Sequence, residues 1–327
     1  MNRWRWSVLI LTILLLISCG AQPNGEAQIS APTAAVRGIQ FSSSEIPATF
    51  TAVPAPQAPA TPAPSAMPRP TQTPRATATL QIPAGYRRTI GFSAQNRPIR
   101  SYQFGSGATT LVFIGGIHGG YEWNSILLAY QAIDYFLEHP DVMPVDVKLF
   151  VIPNTNPDGL ALLTGQDGRF TADDLPANTF PGRFNGNGID LNRNWDCDWS
   201  PTAVWRDQSV SAGDEPFSEP ETRALRDFLL TQQPAAVIFW HSAANGVYPS
   251  DCGPSFPASL QLAEIYSKAA NYPLRREFTS YVITGDASNW LATQNIPAIT
   301  VELKSDEALE WEKNLAGMMA VLQQYAP

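Results

Sequence analysis

LVFIGGIHGGYEWN, residues 111–124, passes from an unbroken apolar run through four glycines into a helical pattern. With Thr109 and Thr110 before it, the run has the composition of a strand buried on both faces, where no polar side needs to alternate. Beyond the glycines, Trp123, Ile126, Leu127, Tyr130 and Ile133 recur at helical spacing, which predicts a helix from Glu122 to Glu138. A buried strand that turns through glycine straight into a helix is the opening unit of an α/β layer. His118 and Glu122 stand on that turn.

Outward from this unit the pattern repeats. Further buried strands are expected at 147–152, 235–240 and 298–303, the last two preceded by Pro234 and Pro297. Helices are expected from Ser218 to about Gln232, opened by a capping box of Ser218 and Glu221, from Ala258 to Ala270, and from Asp306 to Tyr325 with Leu315, Met318, Met319 and Leu322 on one face. Upstream, RRTIGFSAQNRPIRSYQFG reads as short strands around a turn at Ala94–Asn96. Buried strands alternating with helices imply an α/β sandwich with a largely parallel central sheet. No repeat is visible, and one domain over 85–327 accounts for the pattern.

The first 84 residues have a different composition. MNRWRW and the apolar run from Val8 to Ile17 form an export signal too short for an ordinary spanning helix. The run ends Leu16-Ile17-Ser18-Cys19, which resembles the lipobox of bacterial lipoproteins and implies cleavage after residue 18 with lipidation of Cys19. Residues 19–84 are rich in Pro, Ala and Thr and poor in large apolar groups, so burial cannot offset the entropy of ordering them. They are expected to act as a disordered tether from a bacterial membrane, either at the cell surface or in the periplasm. A flexible coil of that length spans roughly 45 Å.

A net charge of -8 and a pI near 4.9 argue against nucleic acid or an anionic membrane face as partner. Two of the three cysteines, Cys197 and Cys252, follow motifs expected to converge. In an exported protein they form either a disulfide or two free thiols. No apolar stripe is left over for self-association, so a monomer is expected.

In open α/β sheets, reactive groups collect at the carboxyl ends of the strands. His118 and Glu122 follow one such end, and His241, in VIFWHS, closes another. Two imidazoles and a carboxylate, with a fourth position open, make the ligand set of a hydrolytic zinc site, one ion per chain. His139, at a helix end before Pro140, reads as a solvated surface residue. Glu302, inside the apolar strand AITVEL, is costly to bury without a partner and therefore reads as functional.

From Gln95 to Leu303 the chain resembles the M14 family of zinc carboxypeptidases. It carries, in the family's order, GGIH, NPDG at 156–159, GIDLNRNWD at 188–196, PFSEPET at 216–222, His241-Ser242 followed by VYP, and TVEL ending at Leu303. The resemblance implies an eight-stranded mixed sheet flanked by helices. It also implies that His118, Glu122 and His241 hold zinc, and that Glu302 takes a proton from the attacking water and passes it to the leaving amine. Arg183 then stabilises the oxyanion, Asn192 and Arg193 grip a free terminal carboxylate, and Tyr281 closes over the substrate. Ser288 falls where the family sets side-chain preference, and Asp286 beside it is expected to favour a terminal residue bearing an amine. Asp190 is placed near the site in a supporting role.

The chain departs from the family in HGGYE, which puts three residues rather than two between His118 and Glu122, and in lacking the usual arginine before that glutamate. Gly119 and Gly120 would let the loop bulge and still aim both groups at one metal. The expectation is therefore a metallocarboxypeptidase acting on peptides with a free C-terminus. The alternatives are a zinc amidase or peptidase of cell-wall peptides, and an inactive peptide-binding relative.

Overall fold

The computed structural model describes residues 86–326. The expected signal peptide 1–18, Cys19 and the tether to residue 84 lie outside the described residues. Among the described residues no helix is long and apolar enough to cross a membrane.

Strands β1 (Arg87–Phe92) and β2 (Pro98–Phe104) pair antiparallel around a turn in which Asn96 has a φ of 60°. The apolar run becomes β3 (Thr109–Ile114), and α1 (Trp123–Glu138) follows. Next come β4 (Val147–Ile152), α2 (Pro157–Thr164) and a small antiparallel ribbon, β5 (Thr202–Trp205) with β6 (Gln208–Ser211). The second half runs α3 (Pro220–Gln232), β7 (Ala236–Ser242), β8 (Gly246–Pro249), α4 (Pro257–Ala270), α5 (Ala287–Thr293), β9 (Ala298–Leu303) and α6 (Trp311–Gln324).

The central sheet has seven strands in the order β1-β2-β4-β3-β7-β9-β8, not the eight expected. Its middle four, β4, β3, β7 and β9, are mutually parallel, while β2 and β8 run against their neighbours. Parallel strands are covered on both faces, and β3 shows how. Leu111 and Phe113 enter the core shared with Ile133, Phe136, Tyr266 and Met318, while Val112 and Ile114 enter the core shared with Trp195, Leu225 and Trp290. The two-residue period of a strand thus feeds two separate apolar layers.

Two helix starts differ from expectation. α3 begins at Pro220 rather than Ser218, and no capping box forms there. The Glu221 carboxylate instead accepts from Ala94 N and Asn185 Nδ2, and the Ser218 hydroxyl donates to Glu219. α6 begins at Trp311 rather than Asp306, after Glu310 in a left-handed conformation (φ 47°). In the segment before it, the carbonyls of Ser305 and Ala308 accept from the Asn124 amide.

Candidate active site

β3 and β7 end side by side, and the site is built on their carboxyl ends. After β3 the chain turns through Gly116 (φ 64°) and Gly119 (φ 49°) into one turn of 3-10 helix, Gly119–Glu122. A side chain at Gly119 would meet the Gly182 carbonyl at 2.6 Å, so this position combines left-handed backbone with close approach, and only glycine meets both demands. The tight turn takes up the third intervening residue of HGGYE. His118 and Glu122 consequently face each other, with Nδ1 of His118 2.7 Å from Oε1 of Glu122.

His241 arrives from β7. Its Nδ1 lies 3.0 Å from Oε2 of Glu122 and 3.3 Å from Nδ1 of His118, and all three side chains are buried. Four-coordinate zinc with bonds of about 2.0–2.1 Å sets neighbouring donors roughly 3.3 Å apart. Two imidazole nitrogens converging on each other at that spacing, with one carboxylate beside both, fit one zinc ion.

The surrounding groups orient this set. Nε2 of His118 lies 3.4 Å from the buried carboxylate of Asp190, an ion-pair distance without a hydrogen bond. Asp190 in turn accepts from Nε of Arg183 at 2.9 Å. The Arg183 guanidinium lies over the rings of Trp205 and Tyr121, with Nη1 3.8 Å from Glu122. Without metal, burial alone would raise the Glu122 pKa, but His118 and His241 outweigh it and hold the carboxyl well below the usual range. Burial likewise opposes charge on His241, and Glu122 overcomes it, lifting that imidazole above its ordinary value. Asp190 is held low against burial by Arg183 and then His118.

Glu302 stands directly across from His241 in the β7–β9 register and accepts from Ala244 N at 3.1 Å. Burial, with the nearby Glu122 charge adding to it, pushes its pKa up despite the attraction of His241. Glu302 and the three ligands open onto a cleft of about 970 Å³, which Arg183, Asn192, Arg193, Tyr281, Asp286 and Ser288 also line.

Several of these side chains are bonded to one another. Asp286 accepts from Asn192 Nδ2 on one oxygen and from Ser288 Oγ and Asn289 N on the other, so its carboxylate is engaged within the protein. The Arg193 guanidinium donates to the carbonyls of Asn192 and Val204 and lies 5.9 Å from the Tyr281 ring.

Sequence reasoning missed three parts of the cleft. The ribbon β5–β6 brings Trp205, Arg206 and Asp207 to one rim, with Arg206 at the hairpin tip (φ 56°). The alternation of TAVWRDQSV was a visible signal, but Arg-Asp lacks the usual chemistry of a two-residue hairpin turn. Arg276 and Glu277 occupy the cleft margin. Asp251 also lines the cleft, half-buried, and its carboxylate has no hydrogen-bond or ion-pair partner among the described residues. Burial raises its pKa, and Glu277, Asp198 and Asp286 raise it further.

Cys197 and Cys252 are joined, closing a sequence separation of 55. The bridge ties the loop bearing Asn192 and Arg193 to the one bearing Asp251. The segment entering α5 and the helix's first turn are fastened alongside by Gly285 N to Cys197 O and Asp251 N to Asn289 Oδ1. Cys252→Ser is expected to lower stability by about 2–4 kcal/mol and to raise KM by a larger factor than it lowers kcat. Urea unfolding and steady-state kinetics check this, and an unchanged KM would separate the bridge from the cleft.

The zinc carboxypeptidase family model matches residues 86–318. Murein peptide amidase A of Escherichia coli (strain K12) is 35% identical over 141 residues, 39% of this chain and 55% of that protein. Gamma-D-glutamyl-L-diamino acid endopeptidase 1 of Lysinibacillus sphaericus is 23% identical over 240 residues, 66% of this chain and 60% of that protein. The matched stretches thus span little more than half the length of these two relatives. Among solved structures, murein-tripeptide amidase MpaA from Escherichia coli O157 superposes with a TM-score of 0.57 at 25% identity, covering 78% of this chain and 98% of that one. Because the family match runs from the residue before β1 into α6, and so takes in nearly all of the described fold, the chain belongs to the zinc carboxypeptidase family.

Proposed function

We propose that the chain is a zinc peptidase that hydrolyses the amide bond before a terminal residue with a free carboxylate, and that its substrates are short cell-wall peptides carrying a diamino acid. The observation that carries the reaction is the register of β7 and β9, which sets Glu302 beside His241 at the mouth of the His-Glu-His cluster. Zinc, when held by His118, Glu122 and His241, supplies a Lewis acid for the scissile carbonyl and for the attacking water.

The chain's own residues do the rest. Glu302 accepts the proton of the attacking water and returns it to the leaving amine, and its raised pKa brings it nearer the working range of a general acid–base. Arg183 Nη1, which makes no hydrogen bond, is available to the oxyanion. Asn192 and Arg193 line the cleft where a terminal carboxylate would be gripped, and Tyr281 flanks Arg193.

For the substrate class, two observations support the reading. One relative, matched in both sequence and structure, is named for murein peptides and another for a diamino acid bond. The unpartnered Asp251, with the exposed Asp198 and Glu277 near it, offers negative charge to an amine at the margin of the cleft. Together with the expected export signal, Cys19 and the tether, the reading is of an enzyme lipid-anchored outside the cytoplasm.

The test is hydrolysis by the zinc-loaded full chain of three peptides: one ending in a γ-D-glutamyl-linked diamino acid, one ending in phenylalanine, and an amidated copy of the first. Turnover of the first, above the second and abolished in the third, is expected. Asp251→Asn should then lower kcat/KM for the diamino acid peptide by roughly 10–100-fold, the size of one charged hydrogen bond, with little change for the phenylalanine peptide. Hydrolysis indifferent to amidation would end the exopeptidase reading, and equal losses on both peptides would end the role of Asp251.

A further inference from the structure

We infer that Asn124 is a positioning residue that holds the two imidazole and carboxylate ligands and Glu302 in one frame. The inference rests on the zinc-site reading above. Asn124 is fully buried in the first turn of α1, two residues after Glu122. Its Nδ2 donates to the carbonyls of Ser305 at 2.7 Å and Ala308 at 3.2 Å, in the segment that leaves β9 just after Glu302. Its Oδ1 accepts from the hydroxyl of Ser242 at 2.9 Å, the residue after His241.

One amide therefore bonds to the carboxyl ends of two strands and stands at the start of the helix that follows a third. The bonded residues are separated from Asn124 by 118, 181 and 184 positions in the chain, so no local structure sets their spacing. The surrounding contacts reinforce the link. Ser242 N donates to Glu122 Oε2 at 3.3 Å, so Ser242 is bonded both to the ligand and to Asn124. Ser125, the next residue, donates to the Glu122 carbonyl at 2.7 Å and accepts from Gly116 N at 3.1 Å, fastening the ligand turn from its other side.

The chemistry restricts the residue type. Two donors on one atom and an acceptor on its neighbour are what a primary amide provides. A carboxylate of the same shape would turn an oxygen against two carbonyls, and an apolar isostere would strip all three half-buried or exposed partners of the bond that ties them to α1. Asn124 is neither among the residues that line the cleft nor in the His118–Glu122–His241 cluster. It acts by fixing the ligands' supports, and outer partners of metal ligands change metal affinity or activity by about 10–100-fold when removed.

The experiment compares the full-length wild-type chain with Asn124→Asp and Ser242→Ala. Zinc affinity is read by chelator competition on metal-free protein, kcat and KM on zinc-loaded protein, and the urea midpoint on metal-free protein. Asn124→Asp is expected to weaken zinc binding and lower kcat by about 10–100-fold each, with KM within about twofold of wild type. Ser242→Ala removes one of the three bonds, and a smaller loss in the same two quantities is expected. A lower urea midpoint with zinc affinity and kcat within twofold of wild type would overturn the proposal, since a merely structural residue behaves so. If Asn124→Asp does not fold, Ser242→Ala decides by the same criterion. Wild-type protein that takes up no zinc would instead bring down the reading of the site, a failure distinct from that of Asn124.

Discussion

Replacing Glu302 with glutamine is expected to lower kcat by about 10²–10⁴-fold while leaving zinc bound. Glutamine keeps the shape of the side chain and a carbonyl oxygen for the Ala244 N–H, which lies 3.1 Å from the carboxylate in the native site. What it loses is the ability to take a proton. Glu302 is not among the three groups whose donor atoms cluster within 4.8 Å of one another, so metal content should not change. Zinc analysis and single-turnover hydrolysis on the same sample separate the two effects. A variant that keeps kcat within tenfold of wild type would assign the proton transfer to another group, and one that loses zinc would make Glu302 part of the metal site.

Glu122→Ala is expected to remove both metal and activity. The zinc free energy in small protein sites is about 10–16 kcal/mol, shared among the ligands, so losing one of three protein ligands weakens binding on the order of 10²–10⁴-fold. The consequence extends to the imidazoles. In the metal-free protein Glu122 is what raises the His241 pKa against burial. Without it, burial is opposed only by the weaker attraction of Glu302 and Asp286, and the His241 pKa should fall, a shift readable by NMR titration of metal-free protein. Zinc retained at wild-type affinity in Glu122→Ala would mean that the extra residue in HGGYE has moved the carboxylate out of the ligand set. It would also mean that the 2.7 Å and 3.0 Å contacts to the histidines serve structure alone.

The two expectations differ in how legible they were. Glu302 could be read directly, because a lone carboxylate in AITVEL has no local way to offset its burial, and its strand is a six-residue run whose limits the structure reproduces at Ala298–Leu303. Glu122 was harder, because spacing along the chain does not say whether a glycine loop bulges. The answer lies in the 3-10 turn and in the close approach of Gly119 to Gly182, which comes from a distant segment. The site's inner members were visible as residue types in ordered motifs. Their state of engagement was not, and Asp286 shows this. Its place two residues before Ser288 pointed to pairing with a substrate amine, and only the structure shows that Asn192, 94 positions away, donates to its carboxylate.

Local sequence, then, determined the four parallel strands, the long helices α1, α3, α4 and α6, and the identity of the groups that can bind metal or move a proton, because apolar periodicity and side-chain chemistry are properties of neighbours in the chain; the short elements α2, α5, β5, β6 and β8 it did not determine. Tertiary structure alone decided which of those groups meet. The β7–β9 register put Glu302 opposite His241, the sheet order put the end of β3 beside the end of β7, and a folded-back hairpin supplied the Trp205 rim. Asn124 was, by sequence, one more polar residue near a helix start. Only the packing of segments more than a hundred residues apart gave its amide two carbonyls and a hydroxyl to bond, because a buried hydrogen bond is set by where its partners lie in space.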